Sequence, residues 1–188
     1  TALQGDARCE TTLPSDGNYT IQIHDLLYKG PQPGYFRLKV GELQYADRAH
    51  PIGVQRGQSA TVQPVSTNLP EGPGMNITGE NLSGQALAIG TSGLFGGTRP
   101  RVVLSTHAEV IEVPGNTDSL QDIPAAPVAI NGQIYQAGQV DRYRLAVKPG
   151  STLRFDVLAH RYGSAIDGIL TILDEQGKQL ARNDDRGG

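Results

Sequence analysis

Glycine and proline interrupt this chain so often that they limit what it can fold into. The 188 residues include 24 Gly and 12 Pro, and the longest stretch without either runs from residue 101 to residue 113. A helical bundle needs longer uninterrupted segments with a 3.6-residue apolar period. A parallel doubly wound sheet needs crossover helices, and no segment suits one. The sequence therefore predicts an all-β fold made of antiparallel β-sandwich modules, in which turns join short strands.

Charge and hydropathy exclude several classes of function. The formal net charge is −3 and the pI is about 5.8, so the chain has no basic footprint for nucleic acid. No apolar run approaches the ~20 residues that a membrane-spanning helix needs. The single cysteine, Cys9, excludes an intrachain disulfide and the zinc sites that use several cysteines.

Alternation of apolar and polar residues predicts strands in three regions. The first region, residues 1–45, contains two such segments, 20–24 and 35–40, on either side of a loop rich in Gly and Pro. Residues 46–113 form a second β-domain with shorter candidate strands at 60–65, 87–89, 101–104 and 109–113. Residues 114–126 lack apolar periodicity and are predicted to be a linker. Residues 127–188 carry the clearest pattern: residues 128–134 contain a turn at Asn131-Gly132, and 142–147 and 153–157 alternate. Residues 169–173 are fully apolar and are predicted to be a central strand, with a return strand beginning at 178–181.

Several short motifs occur in order in the last region. They are Asn131-Gly132, Val140-Asp141-Arg142-Tyr143-Arg144-Leu145, Lys148-Pro149-Gly150-Ser151-Thr152-Leu153, the apolar segment 169–173, Asp174-Glu175-Gln176-Gly177-Lys178 and Asn183-Asp184-Asp185. This series resembles the bacterial pre-peptidase C-terminal domain family. The resemblance implies a jelly-roll-like sandwich of secreted bacterial proteins that is usually non-catalytic. It is also similar to collagenase collagen-binding domains, some of which bind calcium.

Residues 6–42 resemble the other half of the same family. The motifs that carry this likeness are Asp16-Gly17-Asn18-Tyr19-Thr20, His24-Asp25 and Tyr35-Phe36-Arg37-Leu38. The middle of the chain resembles immunoglobulin-like domains of the TIG type weakly, through residues 51–58 and Asn68-Leu69. A half-sandwich leaves an apolar face uncovered. We therefore hypothesise that residues 1–42 pack against residues 125–188, within one chain or between neighbouring chains, to complete one sandwich.

Catalytic motifs are absent from the sequence. It contains no nucleophile elbow, no zinc-protease helix motif and no phosphate-binding loop. The four histidines, His24, His50, His107 and His160, each stand alone in the sequence. Pairs such as His24 with Asp25, or Asp156 with His160, carry no weight without geometry. We predict no catalytic residue and no residue that binds an organic cofactor.

A cluster of oxygen-bearing side chains near the end of the chain is the one metal candidate. Asn183, Asp184 and Asp185 lie close in sequence, and Asp174 is expected nearby across a hairpin. Calcium takes six to eight oxygen ligands, which such a cluster helps to supply. The alternative is a polar turn, because Asp and Asn favour turns. A binding platform for sugar or peptide is a further candidate, built on Tyr28, Tyr35, Tyr45 and Tyr162.

These observations favour a non-catalytic extracellular module that binds or positions parts of a larger secreted or cell-surface bacterial protein. Its expected location is secreted, periplasmic or on the cell surface. The expected partners are other domains of the same polypeptide, neighbouring subunits, or an extracellular protein or polysaccharide. One alternative is an accessory fragment of a secreted peptidase or other hydrolase. The other is a calcium- or carbohydrate-binding lectin-like domain.

Overall fold

A computed structural model describes residues 7–25, 34–46, 48–65, 68–69, 72, 74–79, 100–113 and 120–184. These residues form eleven β-strands and one short 3-10 turn, His160–Tyr162, with no α-helix among them. The all-β fold class predicted from the sequence is therefore confirmed. Within the same residues there is no helix that could cross a membrane. The chain divides into two compact units, Thr1–Gly41 and Glu42–Gly188.

The described part of the first unit contains no hydrogen-bonded strand. The alternating apolar side chains of the two predicted strands, 20–24 and 35–40, are exposed, including Ile21, Ile23, Phe36 and Leu38. The prediction of strands here is wrong for this unit, because alternation alone does not supply the neighbouring backbone that a strand must bond to. The packing of residues 1–42 against residues 125–188 stays a prediction.

All eleven strands belong to the second unit. Their bounds are β1 Arg48–His50, β2 Gly53–Gln55, β3 Ser59–Val65, β4 Met75–Thr78, β5 Val103–Ser105, β6 Ala108–Ile111, β7 Leu120–Ile123, β8 Val128–Asn131, β9 Arg142–Leu145, β10 Leu170–Leu173 and β11 Gln179–Asn183. β1, β3 and β4 form a three-stranded antiparallel sheet, and β10 and β11 form an antiparallel hairpin. The predicted candidate at residues 87–89 lies outside the described residues.

The apolar core of the described residues lies within residues 46–113. It consists of Ala49, Val54, Val62, Ile77 and Val102, with Ala60 and Met75 packed against it. The alternation of β3 explains the arrangement, because Ala60 and Val62 point to the core side while Ser59 and Thr61 point outward. Full burial of such side chains stabilises the fold by ~1.5–3 kcal/mol each.

Parallel strand pairs join segments that are distant in sequence. β2 pairs with β5, β6 with β8, and β7 with β9, all in parallel. The sequence predicts antiparallel pairing alone, because no segment suits a crossover helix. In the structure other strands lie along each of these connections: β3 and β4 between β2 and β5, β7 between β6 and β8, and β8 between β7 and β9. The predicted linker, residues 114–126, contains β7, which pairs with β9; residues 114–119 lie outside the described residues.

The hairpin of β10 and β11 turns at residues 174–178. The Asp174 carboxylate oxygen Oδ1 accepts hydrogen bonds from the backbone N–H groups of Gln176 (3.0 Å) and Lys178 (2.8 Å). Gly177 has φ 80°, in the left-handed region that favours glycine. This turn agrees with the hairpin predicted at residues 174–177. The strand predicted at 153–157 is wrong, since these residues form no strand in the structure.

Candidate functional site

Buried polar side chains meet where β6 pairs with β8. Asn131, the last residue of β8, is 5% exposed, and Glu112, just after β6, is 8% exposed. The parallel register sets Ile111 beside Asn131, and the Glu112 N–H donates to the Asn131 carbonyl oxygen at 3.0 Å. We call the group formed by Glu109, Glu112, Asn131 and Tyr143 the polar junction.

Asn131 connects three segments of the second unit through one amide group. Its Oδ1 accepts a hydrogen bond from the Gly53 N–H at 2.8 Å. Its Nδ2 donates to Oε2 of Glu109 at 2.7 Å. A Cβ at position 53 would collide with the Glu109 carboxylate, so a larger residue there would displace that carboxylate. The start of β2, the strand β6 and the end of β8 are therefore held together by one buried side chain.

Glu112 and Tyr143 extend the polar junction over Gly132. The Glu112 Oε2 accepts a hydrogen bond from the Gln133 N–H at 2.9 Å. A Cβ at Gly132 would lie 2.8 Å from the Tyr143 hydroxyl oxygen and 3.0 Å from the Glu112 Oε2. Burial, followed by the negative charges of Glu112 and Asp141, raises the pKa of Tyr143. The Tyr143 hydroxyl therefore stays protonated at neutral pH.

His50, at the end of β1, also senses Glu112. Burial lowers the pKa of His50, and the Glu112 carboxylate opposes that shift without cancelling it. His50 pairs with Gln63 across the ladder between β1 and β3. A carboxylate, a phenol and an imidazole thus share one electrostatic environment.

The chemistry open to this arrangement is limited by its internal bonds. Glu109 accepts from Asn131, and Glu112 accepts from the backbone of Gln133. The described residues contain no group of three or more His, Cys, Asp or Glu side chains suited to a metal ion. Buried polar groups that are fully hydrogen-bonded stabilise one arrangement of their segments. The polar junction has the geometry of such a structural connection.

The structure separates Asp174 from the other calcium candidates. Asp174 lies at the turn of the hairpin, whereas Asn183 pairs with Leu170 at the opposite end, ~13 Å along the strand. The expected proximity of these two residues is wrong, because the strands run antiparallel from that turn. Asp184 forms an ion pair with Arg182 at 2.8 Å, and Asp185 lies outside the described residues. Calcium binding by Asn183, Asp184 and Asp185 stays a prediction.

The other sequence candidates are also placed by the structure. His24 Nδ1 lies 3.0 Å from the carbonyl oxygen of Asp25, a backbone contact. The Asp156 carboxylate forms an ion pair with Arg161 at 2.8 Å. Four tyrosines were predicted as a binding platform. Tyr28 is outside the described residues, Tyr35 is exposed in the first unit, and Tyr45 and Tyr162 are partly buried in the second unit.

A small cleft of about 360 Å³ occurs in the first unit. Its lining residues are Leu13, Ser15, Asp16, Gly17 and Tyr19. The Tyr19 hydroxyl donates to the Ser15 carbonyl oxygen at 2.6 Å. Asp16 is the one carboxylate among these lining residues, so the cleft does not bring together the pair of acid–base groups that hydrolysis commonly uses.

Sequence reasoning missed the polar junction as a unit. It noted Asn131 and Tyr143 only as parts of family-like motifs, and it did not single out Glu109 or Glu112. One signal was available, because two glutamates interrupt the longest Gly- and Pro-free stretch, residues 101–113, which is otherwise rich in Val and Ile. Carboxylates inside a buried strand segment require partners.

Comparison with known proteins gives no match to this chain from protein-family models, curated proteins or solved structures. The resemblance to the pre-peptidase C-terminal domain family therefore stays a prediction that depends on the sequence motifs alone.

Proposed function

We propose that this chain is a non-catalytic extracellular module that binds or positions parts of a larger secreted or cell-surface bacterial protein. The polar junction is the observation that carries this proposal. Residues on either side of the predicted linker are tied by the parallel pair of β6 with β8 and by the buried amide of Asn131, and β7 within the linker pairs with β9. A module that positions its neighbours needs such a fixed connection, because a flexible linker would let them reorient.

The state of the polar side chains agrees with a positioning role. An active site needs acid–base groups that converge on a space where a substrate can bind. In the polar junction, Asn131 and the carboxylates of Glu109 and Glu112 bond to the protein itself. These contacts engage the amide and one oxygen of each carboxylate in holding neighbouring segments, which favours a structural role over hydrolysis.

Calorimetry of the variant Asn131→Leu tests the positioning role. The leucine is similar in size but leaves the Gly53 N–H and the Glu109 carboxylate without their partner, which costs ~1–3 kcal/mol or more for such buried groups. We expect the wild-type second unit to unfold in one transition and the variant to unfold in two. The matched control is Asn183→Leu, at an exposed position, which should keep one transition. A single unshifted transition in Asn131→Leu would contradict the proposal.

Activity and ligand assays separate the proposal from its two alternatives. We expect no turnover of peptide or ester substrates by the intact chain. Turnover that disappears in Glu112→Gln would instead support an accessory hydrolase fragment. A rise in melting temperature with calcium or with a simple sugar would support a lectin-like domain, because a ligand that binds only the folded state stabilises it.

A further inference from the structure

The hairpin of β10 and β11 has strand edges that no other described strand covers. Within the described residues, β10 pairs with β11 alone and the two form a separate sheet. An isolated two-stranded hairpin is marginally stable in water, and an open edge presents unpaired backbone N–H and C=O groups. The hairpin therefore offers two edges to which another strand can add.

The two edges differ in charge. β11 carries Arg182 and directly follows Lys178, and charged side chains, Lys especially, are a common means of blocking unwanted strand addition. β10 and the residue before it read Ile169-Leu170-Thr171-Ile172-Leu173, without a charge. Two of its apolar side chains face solvent, since Ile169 is 63% exposed and Leu173 is 52% exposed. The β10 edge is thus the one suited to receive a strand.

The segment 169–173 is complementary to itself when it is turned antiparallel about Thr171. Ile169 then lies opposite Leu173 of the second copy, and Leu170 lies opposite Ile172 of the second copy. Residues opposite each other in an antiparallel pair share a face, so each exposed apolar side chain covers its counterpart. No charge of one copy meets a like charge of the other within this segment.

We propose that β10 pairs with β10 of a second copy across a two-fold axis. The product is a four-stranded antiparallel sheet in the order β11, β10, β10, β11, with the charged strands at its outer edges. Such an isologous contact closes after two copies and so forms a dimer rather than a fibre. This inference does not depend on the proposed positioning role, because it uses only the hairpin.

Cysteine cross-linking tests the two-fold axis directly. In a Cys9→Ser background, which removes the single native cysteine, Thr171→Cys sets two thiols at the axis. Their Cα atoms would lie ~4.5–5.5 Å apart, within the ~4.4–6.8 Å range of disulfides. We expect mild oxidation to give a disulfide dimer. The control Gln179→Cys is on the same face of the hairpin but on β11, ~14 Å or more from its counterpart across three strand spacings, and should stay monomeric.

Sedimentation equilibrium gives a second, independent test without cross-linking. We expect the wild-type chain and Gln179→Lys to dimerise, and Thr171→Lys to be monomeric because it adds a charge to the β10 edge. If Thr171→Lys does not fold, hydrogen exchange of the wild type replaces it as the test. The amides of residues 169–173 should lose their protection from exchange when the protein is diluted and the dimer dissociates. The proposal is overturned by a wild type that stays monomeric, by equal cross-linking of the Thr171→Cys and Gln179→Cys variants, or by protection of 169–173 that does not depend on concentration.

Discussion

Residues 46–113 and residues 127–184 contain strands of similar length but differ in what those strands bury. Residues 46–113 enclose an apolar core, in which Val54, Val62 and Val102 are almost fully buried. Among the described residues of 127–184, the buried ones are Asn131 and Ser164, both polar. Strand content therefore does not make a core. A core forms only where a second layer covers the apolar face of the first.

The apolar residues of the second region show the consequence of a missing layer. Phe155 is 48% exposed and Val157 is 50% exposed, although both belong to an alternating segment. The polar junction and the parallel pair of β6 with β8 attach residues 127–184 to residues 46–113. The stability of residues 127–184 is thus expected to depend on that attachment and on any partner that covers the exposed face.

The largest difference between the two regions should come from a charge in the core. Val62→Asp introduces a carboxylate at a fully buried position of β3 with no cation beside it in the apolar core. An uncompensated buried charge costs ~3–5 kcal/mol, a large share of the ~5–15 kcal/mol by which a typical domain is stable. Val157→Asp makes the same change where the side chain already meets water, and surface substitutions change stability by ~0.5 kcal/mol or less.

Urea unfolding followed by circular dichroism measures this difference. We expect Val62→Asp to unfold at a much lower urea concentration than the wild type and Val157→Asp to match the wild type. Equal losses in the two variants would mean that Val157 is covered in solution, and the contrast between the regions would then be wrong.

A backbone contact within residues 46–113 should give the next largest effect on stability. The N–H of Gly79 donates to the Gln58 carbonyl oxygen at 2.9 Å. A Cβ at position 79 would lie 2.7 Å from the Gln55 carbonyl oxygen, so Gly79→Ala must push backbone away. Overpacking of this kind costs ~1–3 kcal/mol.

Gly72→Ala is the matched control for this contact, because a Cβ there has nothing within 4 Å. Thermal denaturation should show a clear decrease in Tm for Gly79→Ala and an equal or slightly higher Tm for Gly72→Ala. A decrease of the same size in both variants would indicate a general loss of glycine flexibility rather than a steric clash.

The sequence predicts the fold class well and the attachment between regions poorly. Turn chemistry at Asp174 and Gly177, and the apolar segment that becomes β10, depend on neighbours in sequence, so a single chain reveals them. β7, the parallel pairs and the polar junction depend on which distant segments meet. Glu109 and Asn131 are 22 positions apart, and neither one by itself indicates the other. The expected proximity of Asp174 to Asn183 was wrong for the same reason, since the hairpin register decides where these two residues lie.

The pH dependence of stability should reveal how buried His50 is. Burial lowers the pKa of His50 in the folded protein, so the unfolded chain binds a proton first as pH falls. This contribution is present above the ordinary histidine pKa of about 6.5 and is lost as pH falls through the lower folded value. His50→Gln should therefore lose less stability than the wild type as the pH falls below about 6.5.

His160→Gln is the matched control, since His160 is exposed in residues 127–184. Urea midpoints of both variants and of the wild type, measured from neutral pH downward, provide the test. An unchanged slope in His50→Gln would mean that His50 is hydrated and that the polar junction is open to water.

The smallest effect should come from the ion pair that joins β7 to β9. Arg144 donates to both carboxylate oxygens of Asp122, with Nε to Oδ1 at 2.5 Å and an Nη to Oδ2 at 2.7 Å. The hydrogen bond from Arg144 lowers the pKa of Asp122. Both side chains are well exposed, however, and exposed ion pairs contribute little to stability because water screens them.

A double-mutant cycle with Asp122→Ala and Arg144→Ala should therefore give a coupling close to the error of the measurement. That coupling should vanish in molar salt, where the screening length falls to ~3 Å. A coupling that persists in molar salt would mean that this pair is shielded from water in solution, and that residues 120–145 are held by a covered charge pair as well as by the polar junction.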